Sequence, residues 1–339
     1  MPDYDFELNK VLGWLKENRA RRLLIEAPDG LKPEIIKEII PALEDYTVFL
    51  SSFPFHGACE TGDYEGIALG ADHVVHFGHT QMVGRKLPTL YVPAYYYFDP
   101  SPSFEDLDSM LNPDAKKIAL ASTVQYIPSL RPISEHLKEK GYEVMIGKGD
   151  RAKLNGQVLG CDYLALSSFL NLADEYLLVS SGDFHPLGSV FALETQVIQL
   201  DPYSLSWRRL DPSIVKPWFL REGFAWLKLL DAKTVGIVVG SSPGQKFLWE
   251  AEEAAKKLRK MGKQVNIISA VSVDFNQISA MPFDALVLAA CPRLPYDDFD
   301  SSTKPLISVF SVLSGGPGGL RDWLRGLRAK TSPSLNEIG

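Results

Sequence analysis

The chain is predicted to be an α/β protein made of three similar doubly wound, parallel-sheet domains around a central crevice. Three observations predict this. A unit of apolar run, helix and apolar run recurs three times along the 339 residues. The runs are rich in Val, Ile and Leu without polar alternation, as in parallel strands covered by helices on both faces. Strand–helix–strand units this short close by right-handed crossovers, which give small doubly wound sheets.

In the first unit Leu23-Leu24-Ile25 follows the basic pair Arg21-Arg22, and a helix is expected over residues 33–40. Further strands are expected at Thr47–Leu50, at Asp72-His73-Val74-Val75 and at Thr89–Val92. In the second unit Lys116-Lys117 precedes Ile118-Ala119-Leu120, a helix spans 130–140, and Gly141 stops it. Residues 143–146 form the next strand and 162–166 the one after. The third unit has a strand over 235–239, a helix over 245–261 stopped by Gly262, and strands over 265–268 and 284–288. First-to-second strand intervals, from Leu23 to Thr47, Ile118 to Glu143 and Val235 to Val265, are 24, 25 and 30 residues, a common register. An aspartate marks each third strand: Asp72, Asp162 and Asp284.

The expected domains are 1–104, 105–212 and 213–339. The cuts fall in the Pro-rich Asp99-Pro100-Ser101-Pro102 and at Asp211-Pro212. An aromatic helix follows the second cut with Trp218, Phe219, Phe224 and Trp226, read as core packing or an interdomain brace rather than a base-stacking platform. Gly315-Gly316-Pro317-Gly318-Gly319 breaks the last unit before a short helix over 320–327.

Composition narrows the function classes. Apolar residues are 45% and charged residues 23%, an ordinary globular mix. Lys plus Arg is 35 and Asp plus Glu is 42, a net charge of −7, which argues against a duplex-binding footprint, so no nucleic-acid partner is expected. The start, Met1-Pro2-Asp3-Tyr4-Asp5, has no apolar core of a secretory signal. No run approaches the roughly 18 apolar residues of a membrane helix. A soluble, intracellular, cytoplasmic protein is expected.

The three cysteines, Cys59, Cys161 and Cys291, form neither a disulfide framework nor a CxxC zinc spacing. There is one per unit, at unmatched places: Cys59 is 13 residues before Asp72, Cys161 immediately before Asp162, and Cys291 seven after Asp284. On spacing alone they read as small buried apolar side chains. Local sequence offers a second reading. Cys59 follows Phe55-His56-Gly57-Ala58 in a polar connection, and Cys291 stands just past a strand end before Pro292-Arg293. Ligands of open α/β sheets gather at the carboxyl ends of strands. Three thiolates converging there would hold three irons of a four-iron cluster and leave the fourth open.

With one cysteine per repeat, Cys291-Pro292-Arg293, Gly182-Asp183-Phe184-His185, Gly78-His79 and the Gly240-to-Gln245 turn, the chain resembles the archaeal diphthamide biosynthesis enzymes, 2-(3-amino-3-carboxypropyl)histidine synthases. The resemblance runs over essentially the whole chain. It implies a non-standard radical S-adenosylmethionine enzyme without the CxxxCxxC motif, with Cys59, Cys161 and Cys291 on a [4Fe-4S] cluster in the central crevice. It implies that S-adenosylmethionine meets the open iron. The 3-amino-3-carboxypropyl group is then transferred to an imidazole carbon of one histidine on translation elongation factor 2. A homodimer served by an external electron donor is also implied.

Other residues are candidates around S-adenosylmethionine. Asp183 and His185 are expected to bind its amino or carboxylate end or to position the incoming imidazole; a plain Asp turn is the competing reading. Gly78, His79 and Thr80 follow a strand end, a position suited to a ligand, and His79 reads equally as a solvated loop histidine. Gly240 to Gln245 opens a helix, so its amides are expected to receive an anionic group. It is neither GxGxxG nor GxxxxGK[ST]. His56 is a candidate donor to cluster sulfur, while His73 and His76 read as packing. Two other classes compete: an iron-free nucleotide-binding α/β enzyme, and a non-catalytic or electron-donating partner subunit of the same pathway.

Overall fold

The computed structural model describes residues 4–297 and 302–326. Each unit has a four-stranded parallel sheet in the same spatial order, with the second strand, the first, the third and the fourth side by side. The first sheet runs Thr47–Leu50, Arg22–Glu26, His73–Phe77, Thr89–Val92. The second runs Glu143–Met145, Lys117–Ser122, Glu175–Val179, Val197–Asp201, with Ser206–Leu210 added antiparallel at its edge. The third runs Gln264–Ala270, Thr234–Gly240, Ala285–Ala289, Leu306–Ser308. The expected three-fold parallel architecture is therefore present. Its order reverses between first and third strands, and the crevice at such a switch point is where ligands of open α/β sheets bind.

The third strand of each sheet is covered on both faces, while the edge strands Thr47–Leu50 and Gln264–Ala270 are largely open. Every residue of His73–Phe77, Glu175–Val179 and Ala285–Ala289 is buried. The helices Leu130–Glu139 and Leu248–Lys260 end before Gly141 and Gly262, whose φ of 92° and 82° suit glycine at a helix stop.

One expected strand is corrected. Residues 162–166 are not the third strand of the second unit: Leu164–Ser167 is a single helical turn whose first amide, that of Leu164, donates to Asp162 Oδ1 at 3.0 Å. The strand is Glu175–Val179, and its marker is Asp174. A short apolar run carries no decisive period, so Leu164-Ala165-Leu166 passed for a strand. The aspartates share a physical task that tells them apart. Asp72 accepts the amides of Arg21 and Arg22, Asp174 those of Lys116 and Lys117, and Asp284 those of Lys233 and Thr234. Each carboxylate staples the start of the first strand to the start of the third. Asp162 does no such thing.

The correction changes the cysteine arithmetic. Cys59 lies 13 residues before Asp72, and Cys161 lies 13 residues before Asp174. These two occupy matching positions after all, in the connection from second to third strand. Only Cys291 is placed differently, two residues beyond Ala285–Ala289.

The second and third units share one apolar core, in which Tyr163, Phe191 and Val190 join Val235, Phe247 and Phe310. The helix Lys216–Asp231 braces it: Trp218 and Phe219 stand 5.4 and 5.0 Å from Phe191, and Trp218 stands 5.4 Å from Tyr296. Of the expected helix 320–327, Gly319–Leu324 is present and Leu327 lies outside the described residues. The first unit joins the second through aromatic contacts of Tyr96 and Phe98 with Tyr126, and through hydrogen bonds such as Gln125 Nε2 to the Gly78 carbonyl at 2.6 Å. Among the described residues, no helix is long and apolar enough to cross a membrane.

Candidate functional site

All three cysteines stand on connections at the carboxyl ends of strands, one per unit, and each is partly buried. The fold brings them together. Cys59 lies within electrostatic reach of both Cys161 and Cys291, and Cys291 also within reach of Cys161. Burial, reinforced by the neighbouring sulfurs, pushes the Cys59 thiol well above its ordinary value. Burial likewise pushes Cys291 up to about 12, against the pull of the Arg293 amide.

Each sulfur has a nitrogen donor aimed at it. Gln245 Nε2 donates to Cys59 Sγ at 3.3 Å, Arg151 Nη1 donates to Cys161 Sγ at 3.3 Å, and the Arg293 amide serves Cys291. The loops holding these groups interlock. The Gly244 amide donates to the Cys59 carbonyl at 2.8 Å, and Arg151 Nη2 donates to the Gly244 carbonyl at 2.9 Å. A side chain at Gly244 would meet Cys59 Cα and Cβ at 2.5 Å, so only glycine allows the approach. Asp162 Oδ2, freed from any strand role, accepts the Arg151 amide at 2.6 Å and fixes the start of that side chain.

In the Gly240-to-Gln245 turn, expected to offer amides to an anion, three amides have partners within the chain: Ser241 donates to the Ala270 carbonyl, Gly244 to the Cys59 carbonyl and Gln245 to the Ser242 carbonyl. The turn grips Cys59 instead, through Gly244 and the Gln245 side chain, while Gly240 packs against Ala290 next to Cys291. Tertiary partners take the Ser241 and Gly244 amides. His56, the candidate donor to cluster sulfur, follows. It is exposed, and its ring lies 3.6 Å from Glu60.

The Gly182-Asp183-Phe184-His185 loop reaches the centre through Arg293. That buried guanidinium donates to the Phe184 carbonyl at 2.8 Å and to the Tyr163 hydroxyl at 2.9 Å, pairs with Asp297, and lies 3.9 Å over the Phe184 ring. His185 is neutral: burial, with Arg293 nearby, holds its pKa down to about 3. Asp183 instead sits at the surface in an ion pair with Arg208. His79 is held well below the ordinary imidazole value by burial and by His76, and it lies within electrostatic reach of His185 and His56. Gly78 takes φ of 87°, where the chain turns away from the strand.

His76 is more than packing. Its Nδ1 is 2.6 Å from Glu26 Oε2 and its Nε2 is 2.9 Å from His79 Nδ1. Arg85 clamps Glu26 with both terminal nitrogens and Asp63 with Nε. Burial raises Glu26, but hydrogen bonds from His76 and Arg85 outweigh it and hold the carboxyl below its ordinary range. Sequence reasoning missed Glu26 and Arg151. A carboxylate closing the apolar run Leu23-Leu24-Ile25 was a visible signal for Glu26; Arg151 had none.

A cavity of about 720 Å³ to which all three units contribute opens along the Ser241–Lys246 turn and the segment that follows Cys59; none of the three cysteines lines it. Its lining includes Thr61, Tyr64, Lys86, Lys153, Ser241 and Lys246.

Among the described residues, no group of three His, Cys, Asp or Glu side chains converges tightly enough for a single metal ion. The thiols fit a larger group. Thiolates capping three irons of a four-iron cluster stand further apart than ligands of one ion, yet near enough to repel. A cationic group would invert that repulsion and deprotonate them. The three nitrogen donors at the sulfurs suit the same occupant.

Fold and site together define a three-lobed α/β protein with one convergent thiol centre. Residues 27–314 match the diphthamide synthesis protein family, and the chain belongs to it. It is 34% identical to 2-(3-amino-3-carboxypropyl)histidine synthase of Pyrococcus horikoshii, over 91% of this chain and 90% of that one. It is 27% identical to subunit 1 of the human 2-(3-amino-3-carboxypropyl)histidine synthase, over 91% of this chain and 71% of that one. The solved structure of Dph2 from Pyrococcus horikoshii with a 4Fe-4S cluster superposes with a TM-score of 0.82 at 32% identity, covering 97% of this chain and 93% of that one.

Proposed function

We propose that the chain transfers the 3-amino-3-carboxypropyl group of S-adenosylmethionine to an imidazole carbon of a histidine on translation elongation factor 2, the first step of diphthamide biosynthesis. The observation that carries this is the meeting of Cys59, Cys161 and Cys291, one from each unit, in a chain of this family. When bound by these thiolates, a [4Fe-4S] cluster supplies one electron next to an iron without a protein ligand. An imidazole carbon is a poorer nucleophile than the ring nitrogens, so a polar alkylation would go to nitrogen; one-electron chemistry avoids that competition.

The chain's own residues prepare the site. Lys153 and Lys246, which line the cavity shared by the three units, suit the carboxylate of the methionine arm. His79 and His185, both held neutral by burial, present uncharged imidazoles to the crevice and do not repel a sulfonium. Asp183, paired with Arg208, anchors the loop carrying His185 from outside. The enzyme works as a homodimer in the cytoplasm and takes its electron from an external donor, as the family resemblance supports.

Anaerobic purification tests the reading. The chain should be brown, give a reduced-cluster paramagnetic signal with dithionite, and alone cleave S-adenosylmethionine to methylthioadenosine. Alanine at Cys59, Cys161 or Cys291 should remove colour and transfer together. A triple cysteine variant that still modified the elongation factor would end the proposal.

A further inference from the structure

Arg151 is almost wholly buried, at 6% exposure. Its guanidinium ends on two different elements, with Nη1 on Cys161 Sγ at 3.3 Å and Nη2 on the Gly244 carbonyl at 2.9 Å, while Nε is buried without a partner. The rings of Phe247 and Trp323 lie 5.9 and 5.6 Å from its carbon. Among the described residues no carboxylate forms an ion pair with this side chain. A buried cation kept in an aromatic wall without a carboxylate needs another anion, and the atom it points to is a thiol sulfur.

Building on the cluster reading above, we propose that Arg151 is a positioning residue that sets the reduction potential of the group held by Cys59, Cys161 and Cys291. It acts in two ways. Its fixed charge and its hydrogen bond to Cys161 favour the more electron-rich, reduced state, because hydrogen bonds to sulfur and local charge tune such potentials. Its rigid fork also ties the sulfur of the second unit to the Gly244 loop of the third, whose amide holds Cys59 of the first. One side chain thus registers all three lobes. Asp162 fixes the other end of the residue, so the fork does not swing.

The test compares the full chain with Arg151→Met and Arg151→Lys, each reconstituted anaerobically with iron and sulfide. Reduction potentials are read by paramagnetic resonance in a redox titration. Arg151→Met should lower the equilibrium constant for one-electron reduction about tenfold, which is about 59 mV, at unchanged iron per chain. Arg151→Lys keeps the charge but loses the fork, and should fall between. If Arg151→Met takes up no iron, Arg151→Lys decides, since a drop in its potential supports the role and an unchanged value overturns it. Potentials equal to the parent's in both variants would show a brace and nothing more, and would overturn this inference alone. A parent chain that binds no cluster would overturn the functional reading as well.

Discussion

On the proposed reading of the three thiols as cluster ligands, Gly244→Ala should weaken iron binding while leaving all three cysteines in the chain. The added methyl would stand 2.5 Å from Cys59 Cα and Cβ, and ordinary contact begins near 3.4 Å, so the two backbones must part by about 0.9 Å. Metal sites tolerate ligand displacements of roughly 0.2 Å, so the shift is several times too large. Overpacking of this kind costs about 1–3 kcal/mol, and stretching the 2.8 Å bond from the Gly244 amide to the Cys59 carbonyl costs about 1 more. Together, about 2–4 kcal/mol corresponds to iron held roughly 30- to 700-fold more weakly. The assay is retention of iron and sulfide against a graded chelator, with Gly84→Ala as the control, because nothing lies within 4 Å of a side chain at Gly84. A Gly244→Ala chain that keeps its iron as the parent does would refute the claim that this turn positions Cys59.

Two further outcomes are expected. Arg85→Met leaves the buried Glu26 with one partner fewer and should destabilise the first unit by about 3–5 kcal/mol. Hydrogen exchange in the strand His73–Phe77 should quicken accordingly; unchanged exchange in this variant would count against the network. The strand-stapling aspartates set an acid limb. Amides of Lys116 and Lys117 hold Asp174 below the usual carboxyl range, and those of Thr234 and Lys233 do so for Asp284. At Asp72 burial works upward, but His73 and the amides of Arg21 and Arg22 outweigh it. Depressed folded values mean their contribution is complete above about pH 4 and drains away as pH falls through the folded values. Asn at all three positions should lower the melting temperature at pH 7, with the gap to the parent closing in strong acid. A gap that stays constant with pH would rule out the carboxylates as its source.

The repeats were readable because parallel strands covered on both faces must be continuously apolar, and glycine marks the helix stops. Leu164-Ala165-Leu166 misled because three apolar residues fit a strand and a helical turn equally well; only tertiary hydrogen bonding separates Asp174 from Asp162. That slip also hid the matched placement of Cys59 and Cys161. The Gly240-to-Gln245 turn was found, but its grip on Cys59 was not: amides at a helix start look alike in sequence whether an anion or a neighbouring loop takes them. Arg151 was invisible, since its partners, Cys161 and Gly244, belong to different units and only the packing of lobes brings them within one guanidinium's span.

Because each sheet closes by itself and contributes a single sulfur, no fragment of one or two lobes carries all three sulfurs. Colour in this protein would therefore be a receipt for finished assembly, issued only when the last lobe has docked on the other two. The second and third lobes are already fused by a shared apolar core. The first arrives by polar latches and an aromatic hinge, so its docking is the step that iron would reward and that loss of iron would first undo.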